Sequence, residues 1–457
     1  MHPVSCAYLA KTIYNNWSHL KSVMSNEQSV IKPAIHTDGR IMIMNYEDAD
    51  EKAARSLEDS FGKMFRVETD ISGCFNSIYT HSIPWAVIGF EAAKAKVKAR
   101  PKQPEGWYDR LDMHQRWVKR NETQGIAIGP ASSSIIVELI LGCVDKVLVS
   151  RNFNYRRYID DYIGFCATYE EAQEFIRVLA AELERFELNL NLQKTVITAL
   201  PCPVSDHWVS KLSAAAPNTI IDALNTRRKL QSSEIVQYLD YAVRLNKETP
   251  DGSVLKYAVS SIMHSIDKDG SNTVFLYVLG LSWHYPVLIP HLQPILGLCG
   301  LDAADYERQF NLLIGENSRN RRSDAVTWAM YFLLKYNLTL SSEFTQVVID
   351  SKDCAALVCL NLLRPDEPLL QDFVNGLLDG TEYDRDQYWL LLYEFYRMGK
   401  IDNPYDDQAF PIMKKYQVQF TTRSEGPTRA EQYCDYLANP FADEHFVFDS
   451  FEKFTDT

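Results

Sequence analysis

The stretch "YRRYIDDYIGF", residues 155 to 165, sets two aspartates side by side between two runs that alternate as strands do. Tyr155, Arg157 and Ile159 alternate with Arg156 and Tyr158 ahead of the pair, and Tyr162, Ile163, Phe165 and Cys166 follow it. The pattern predicts a tight hairpin with Asp160 and Asp161 at its tip. Crowding two carboxylates among aromatic side chains is costly, or raises one pKa, unless a cation neutralises them. A second pair, Asp406 and Asp407 in "NPYDDQAF", follows an Asn-Pro turn signal with no strand period around it and reads as a solvated loop. For the first pair, taken alone, a solvated turn and a metal site both stand.

At 457 residues the chain is long enough for two or three domains with separate cores. Its hydrophobic share of 46% and charged share of 23% are those of a globular protein. No apolar run reaches the roughly 20 residues that span a bilayer, and the opening "MHPVSCAYLAKTIYNNW" does not have the form of a signal peptide. The expectation is a cytoplasmic protein with no membrane partner. Nine cysteines lie scattered without CxxC or CxxH spacing, which speaks against a zinc site or a disulfide framework. The net charge of −13 disfavours a nucleic-acid partner overall, yet local charge is what binds phosphate. Between residues 91 and 120, nine Lys or Arg face four acids, with Trp107, Tyr108 and Trp117 interleaved. Such a segment either tracks a nucleic-acid backbone while stacking bases, or is an exposed amphipathic helix with its loop.

Residues 1–210 mix helix-period segments with short strand-like runs such as "MFRVETDISGCF", the texture of an α+β domain. "TYEEAQEFIRVLAAELERFELNLN" reads as one helix, with Thr168 as N-cap, Glu170 and Glu171 in the first turn, and Phe175, Val178, Leu179, Leu183 and Phe186 on one apolar face. Over residues 228–425 nearly everything is amphipathic helix joined by short polar or Gly/Pro connectors. This predicts an all-α, helical-repeat-like domain without a clean period. Residues 426–457 are acidic and aromatic, a tail or a docking segment.

Three further segments accompany the aspartate pair. "FRVETDISGCFNSIYTHSI" ends a strand with Asp70 and runs into a helix start; "TQGIAIGPASSSIIVELIL" is a Gly-rich loop opening a helix; "LNLNLQKTVI" carries Lys194. In this order they resemble the palm motifs of reverse transcriptases: an aspartate followed five positions later by an aromatic, a Gln-Gly loop, a Tyr-x-Asp-Asp turn and a lysine-bearing turn. The resemblance implies a right-hand-type polymerase palm with short fingers, placed before the all-α half. It also implies nucleotidyl transfer with two Mg²⁺ ions about 4 Å apart. Asp70, Asp160 and Asp161 are then the catalytic, metal-holding carboxylates, with the backbone of Ile71 beside them. Ile71 and Ser72 offer backbone to the triphosphate, while Gln124 and Gly125 bound the sugar and base of the incoming nucleotide. Lys194 either neutralises phosphate charge or is an ordinary surface lysine, and Arg40 in "HTDGRIMI" is a candidate triphosphate contact. Phe75 either lies beneath the nucleotide sugar, blocking a 2′-hydroxyl, or is a core phenylalanine. Ala127 stands where many relatives have proline.

More narrowly, "DISGCFNSIYTHSIPW", "GPASSSIIVELIL" and the helical C-terminal half resemble the bacterial defence-associated and abortive-infection reverse transcriptases. That resemblance implies dNTP substrates, a DNA product, a template RNA or none at all, and a start from a protein hydroxyl in some members. It further implies a homo-oligomer or a complex with a second defence protein. Two other readings are a polymerase-shaped scaffold that binds nucleic acid or a partner without catalysis, and a maturase-like RNA-binding protein. Three converging carboxylates favour the enzyme over the scaffold, and the acidic helical half argues against the maturase, which needs a basic extension.

Overall fold

The computed structural model describes residues 2–34, 43–44, 49–99, 104–204, 206–217, 228–250 and 253–421. Arg40 and the tail at 426–457 lie outside the described residues.

Among the described residues seven strands form two sheets: β1 (Ser29–Ile31), β2 (Pro33–Ala34), β3 (Ile43–Met44), β4 (Phe65–Asp70), β5 (Asn154–Tyr158), β6 (Asp161–Cys166) and β7 (Val196–Ala199). The larger sheet has the order β1-β5-β6-β4-β7, and β2 with β3 makes a small antiparallel pair. Within the larger sheet only β1 and β5 run parallel; the other neighbours are antiparallel. The expected hairpin is therefore present as β5 and β6, joined by residues 159 and 160.

Strand alternation divides the sheet into two faces. Val67, Tyr155, Tyr162 and Arg157 are buried on one, whereas Glu68, Asp70, Tyr158 and Asp161 share the other by register. The helices that flank the site are α1 (Pro3–Asn15), α2 (Trp17–Met24), α3 (Ala49–Ser60), α4 (Cys74–Ser77), α5 (Ser82–Ile88), α6 (Phe90–Ala99), α7 (Trp107–Val118), α8 (Ala131–Ser150) and α9 (Tyr169–Glu184). α8 is apolar around most of its circumference and is buried along its length, as a central helix must be. α9 begins as expected: the Thr168 hydroxyl accepts from the Glu171 N–H at 3.1 Å, and Glu171 accepts from the Ala167 N–H. Its Phe175 packs 5.8 Å from the Tyr155 ring, over Gly164, where any Cβ would come within 3.0 Å of Phe175.

From His207 on, the described residues are helical apart from connectors, and their buried side chains form a second core distinct from that of the sheet. In it the helices Glu307–Arg319, Ser323–Lys335, Ser342–Ser351 and Cys354–Leu363 pack in succession through Phe310, Phe332, Leu333, Val348 and Leu357. Among the described residues, His2 and Arg120 tie the cores together. The His2 ring lies 4.7 Å from that of Tyr405 and 6.3 Å from that of Trp389. Arg120 stacks its guanidinium 3.9 Å above the Tyr383 ring and donates to Gln387.

The aromatics of the basic segment are engaged inside the protein. Trp107 stacks on His19 of α2, and Trp117 meets Tyr8 of α1 edge-on, so these rings fasten α7 to the N-terminal helices. Among the described residues no helix is long and apolar enough to cross a membrane, and the described cysteines are free thiols.

Candidate active site

β4 carries Asp70 at its C-terminal end, directly opposite Asp161, the first residue of β6. Asp160 occupies the two-residue turn before it. Ile159, the other turn residue, has φ of +63°, a left-handed conformation that a β-branched side chain adopts at a cost of about 1–3 kcal/mol. Positive φ at the first turn position but not the second is the pattern of a type II′ hairpin turn, which normally takes glycine there. The Ile71 N–H donates to the Asp160 carbonyl at 3.3 Å, linking the turn to the end of β4. On the other side, the Asn191 N–H donates to the Asp70 carbonyl at 2.7 Å. Strand ends from three distant parts of the sequence are thereby fixed on one another.

Asp70 is buried, Asp160 partly buried, and Asp161 opens to solvent. Desolvation, then Asp161 and Asp70, push the Asp160 carboxyl up to about 6, with Lys194 opposing. Asp161 is raised as well, by desolvation on its protein side and by Asp70. Lys194 Nζ sits 2.8 Å from Asp70 Oδ2, and that hydrogen bond raises the ammonium's pKa. Lys194 is itself largely exposed, with 66% of its side-chain surface accessible. It thus reaches Asp70 from the surface.

Among the described residues no three His, Cys, Asp or Glu side chains form a ready-made metal cage. The donor set nevertheless fits Mg²⁺, which takes one or two carboxylates and completes its shell with water and substrate phosphates. The mutual crowding that raises Asp160 and Asp161 is what a hard cation relieves.

Of the other expected residues, Phe75, Gln124 and Gly125 are bonded together on the segment that follows β4. Phe75, on α4, is half-buried against the sheet-side core, and its carbonyl accepts from the Ile126 N–H at 2.8 Å. The Gly125 N–H donates to the Ile78 carbonyl at 2.7 Å, and Gln124 Nε2 donates to the Ser77 carbonyl at 2.9 Å. The Gln-Gly loop is thus stitched along α4. Gly125 has φ of +80°, and a Cβ there would come within 2.9 Å of the Asn76 carbonyl, so the close approach requires glycine. A cleft of about 270 Å³ opens alongside, lined by Asn76, Gln115, Lys119, Ile126 and Ala127.

Ile71 and Ser72 differ from expectation in one respect. Their N–H groups are engaged by the Asp160 and Asn189 carbonyls, at 3.3 and 2.8 Å, so the group Ile71 can offer to a ligand is its carbonyl oxygen.

Sequence reasoning passed over Arg157, which lies beneath the turn with 0% of its side chain exposed. Its Nη1 donates to Glu138 Oε1 at 2.7 Å and to the Ile159 carbonyl at 2.9 Å. Its Nη2 reaches Glu138 Oε2 at 3.0 Å and Asp145 Oδ2 at 2.8 Å, and Nε donates to Asp145 Oδ2 at 2.9 Å. The signal that could have found it is on α8: Glu138 and Asp145 stand seven residues apart, two turns along one side of an otherwise apolar helix.

The family of reverse transcriptase (RNA-dependent DNA polymerase) domains matches residues 5–243. The chain therefore belongs to the reverse transcriptase family. Among solved structures, apo telomerase from Candida tropicalis is 11% identical over 79% of this chain and 60% of its own, with a TM-score of 0.31. Telomerase from Candida albicans, in complex with a fragment of telomeric RNA, is 9% identical over 72% and 53%, with a TM-score of 0.26. The chain covers less than two thirds of either telomerase, and likeness at this level adds nothing to the family assignment. No curated protein matches the chain.

Proposed function

We propose that the protein is a DNA polymerase of the reverse-transcriptase type, adding dNTPs to a growing 3′ end. The observation that carries this reading is the convergence of Asp70, Asp160 and Asp161 at the ends of β4 and the β5–β6 turn, within the matched domain. In this reading the three carboxylates and the Ile71 carbonyl hold two Mg²⁺ ions, which when bound activate the attacking hydroxyl and neutralise the leaving pyrophosphate. Ser72, Gln124 and Gly125 border the nucleotide, Phe75 lies under its sugar, and Lys194 passes from Asp70 to the phosphates. Arg40 is a further triphosphate contact from the fingers.

The palm and fingers span 1–210, the helical domain 228–425 and the tail 426–457. The helical domain guides the product outward and is the surface for further copies of the chain or for a second defence protein. Template RNA, its dispensability, and a protein hydroxyl as primer follow from the resemblance to abortive-infection enzymes, as does a cytoplasmic role in resistance to phage.

The test is incorporation of each labelled dNTP by purified protein with Mg²⁺, before and after nuclease treatment. Asp160→Asn combined with Asp161→Asn should abolish incorporation while the fold persists, because removing crowded like charges does not destabilise. Unchanged incorporation by the folded double variant would overturn this reading, and no incorporation by the natural protein would return it to a polymerase-shaped scaffold.

A further inference from the structure

The turn that bears Asp160 and Asp161 is held in an unfavourable backbone conformation, and something must hold it. Ile159 lacks the freedom of glycine, yet it adopts φ of +63°. Its carbonyl is bound at 2.9 Å by the fully buried Arg157 guanidinium. All five N–H donors of that guanidinium have an acceptor in reach: two oxygens of Glu138, the shared Asp145 Oδ2 from both Nε and Nη2, and the Ile159 carbonyl.

The acceptors are themselves fixed. Ser29 Oγ donates to Glu138 Oε1 at 3.1 Å, Asn26 Nδ2 donates to Asp145 Oδ2, and the Tyr155 hydroxyl donates to Asp145 Oδ1 at 3.1 Å. The Arg157 N–H donates to the Gln28 carbonyl at 2.8 Å. The turn is thus referenced to two rigid bodies, α8 and the N-terminal strand β1. Burying an ion triad is a poor route to stability, since apolar side chains of similar volume serve as well or better. Directional hold on one carbonyl is what the guanidinium adds and an apolar side chain cannot.

We propose that Arg157 is a positioning residue of the polymerase site: through its bond to the Ile159 carbonyl it sets the turn that aims Asp160 and Asp161, with Glu138 and Asp145 orienting its guanidinium. The inference rests on the polymerase reading for what the carboxylates do, but its test does not.

Two variants separate positioning from simple support of the fold. Arg157→Lys keeps the charge but supplies three donors from a single point and loses the fork. The combination Arg157→Met, Glu138→Leu and Asp145→Leu leaves no buried charge unpaired and so keeps the fold. The first readout is amide exchange at Ile71, whose N–H bonds the Asp160 carbonyl, against Val67 in the middle of the same strand. The second is Mn²⁺ affinity by electron paramagnetic resonance, without nucleotide.

Folded variants should lose protection at Ile71 by tenfold or more while Val67 is unchanged, and Mn²⁺ should bind at least tenfold more weakly. Incorporation should need correspondingly more Mg²⁺ at unchanged dNTP KM. Wild-type exchange at Ile71 in the folded triple variant would overturn the proposal, whatever the metal result. Should the natural protein incorporate no nucleotide while the Ile71 effect is present, the polymerase reading falls and the positioning role stands.

Discussion

The two cores of this molecule are held by different physics. Among the described residues, the sheet-side core buries Asp70, Asp112, Glu138, Asp145 and Arg157, whereas the helical core buries a single charge, Glu394, paired with Arg397 at its edge. The helical core is otherwise aliphatic and aromatic with scattered Ser, Thr and Asn, as at Phe310, Val326, Met330, Phe332 and Leu333. Hydrophobic burial is non-directional and tolerates repacking, while buried hydrogen-bonded charge is costly and specifies angle. Directional bonds occur where the backbone must hold a strained turn, and plain packing where only shape is needed.

The comparison is tested most strongly by two truncations of similar expected cost. Glu138→Ala leaves Arg157 half-paired and should destabilise by about 3–5 kcal/mol. Phe332→Ala opens a cavity in the helical core and should also cost about 3–5 kcal/mol. Urea unfolding measures both. Incorporation per folded molecule then parts them: it should fall at least tenfold for Glu138→Ala and stay within twofold for Phe332→Ala. Equal losses would erase the distinction between the two cores.

A smaller effect is expected at Phe75, which packs against the sheet-side core and is proposed to lie beneath the nucleotide sugar. Phe75→Val should raise ribonucleotide use relative to deoxyribonucleotide by about tenfold, equivalent to about 1.4 kcal/mol. The check is the ratio of rates with matched dNTP and NTP. An unchanged ratio with lowered stability would make Phe75 a packing residue like Phe332.

The smallest effect belongs to the junction between the cores. Burial holds the His2 imidazole below its ordinary 6.5, against the pull of Asp386 and Asp407. The unfolded chain takes up a proton near 6.5 and the folded protein only at lower pH, so the stability that neutral His2 contributes is whole above 6.5 and is lost as pH falls from there through the folded value. His2→Phe removes the proton uptake and should flatten this dependence. A Tm difference between the two proteins that widens from pH 7.5 to 5.5 is the expected outcome, and a constant difference would place the ring outside the interface.

What sequence could disclose was local. The Thr168 cap, the β5–β6 hairpin and the helical half each rest on neighbours a few residues apart, so their patterns are complete within a short window. The Gln-Gly loop and Asp70 were picked out by their resemblance to reverse transcriptase motifs, each of which is a short run of neighbouring residues. The role of Arg157 was not. In "YRRYIDD" alternation fixes that Arg156 and Arg157 face opposite ways, but not which faces inward. Arg156 meets Asp59 of α3 on the opposite face of the sheet, and Arg157 enters the core because Glu138 and Asp145 wait there. Those partners lie 19 and 12 residues away on a helix whose orientation no local pattern reveals. Likewise, the Ile71 and Ser72 amides are bonded through the approach of Asp160 and Asn189, both tertiary events.

The five-donor arrangement at Arg157 also bears on descent. A lone change at position 138, 145 or 157 strands a charge in the interior, while a joint change to apolar residues does not. Each single step is a valley and the far side is level ground for stability, so a lineage can cross only if the turn no longer needs to be aimed. Homologues that have lost the triad as a unit should be those whose paired aspartates have also drifted, and homologues with intact aspartates should hold all three.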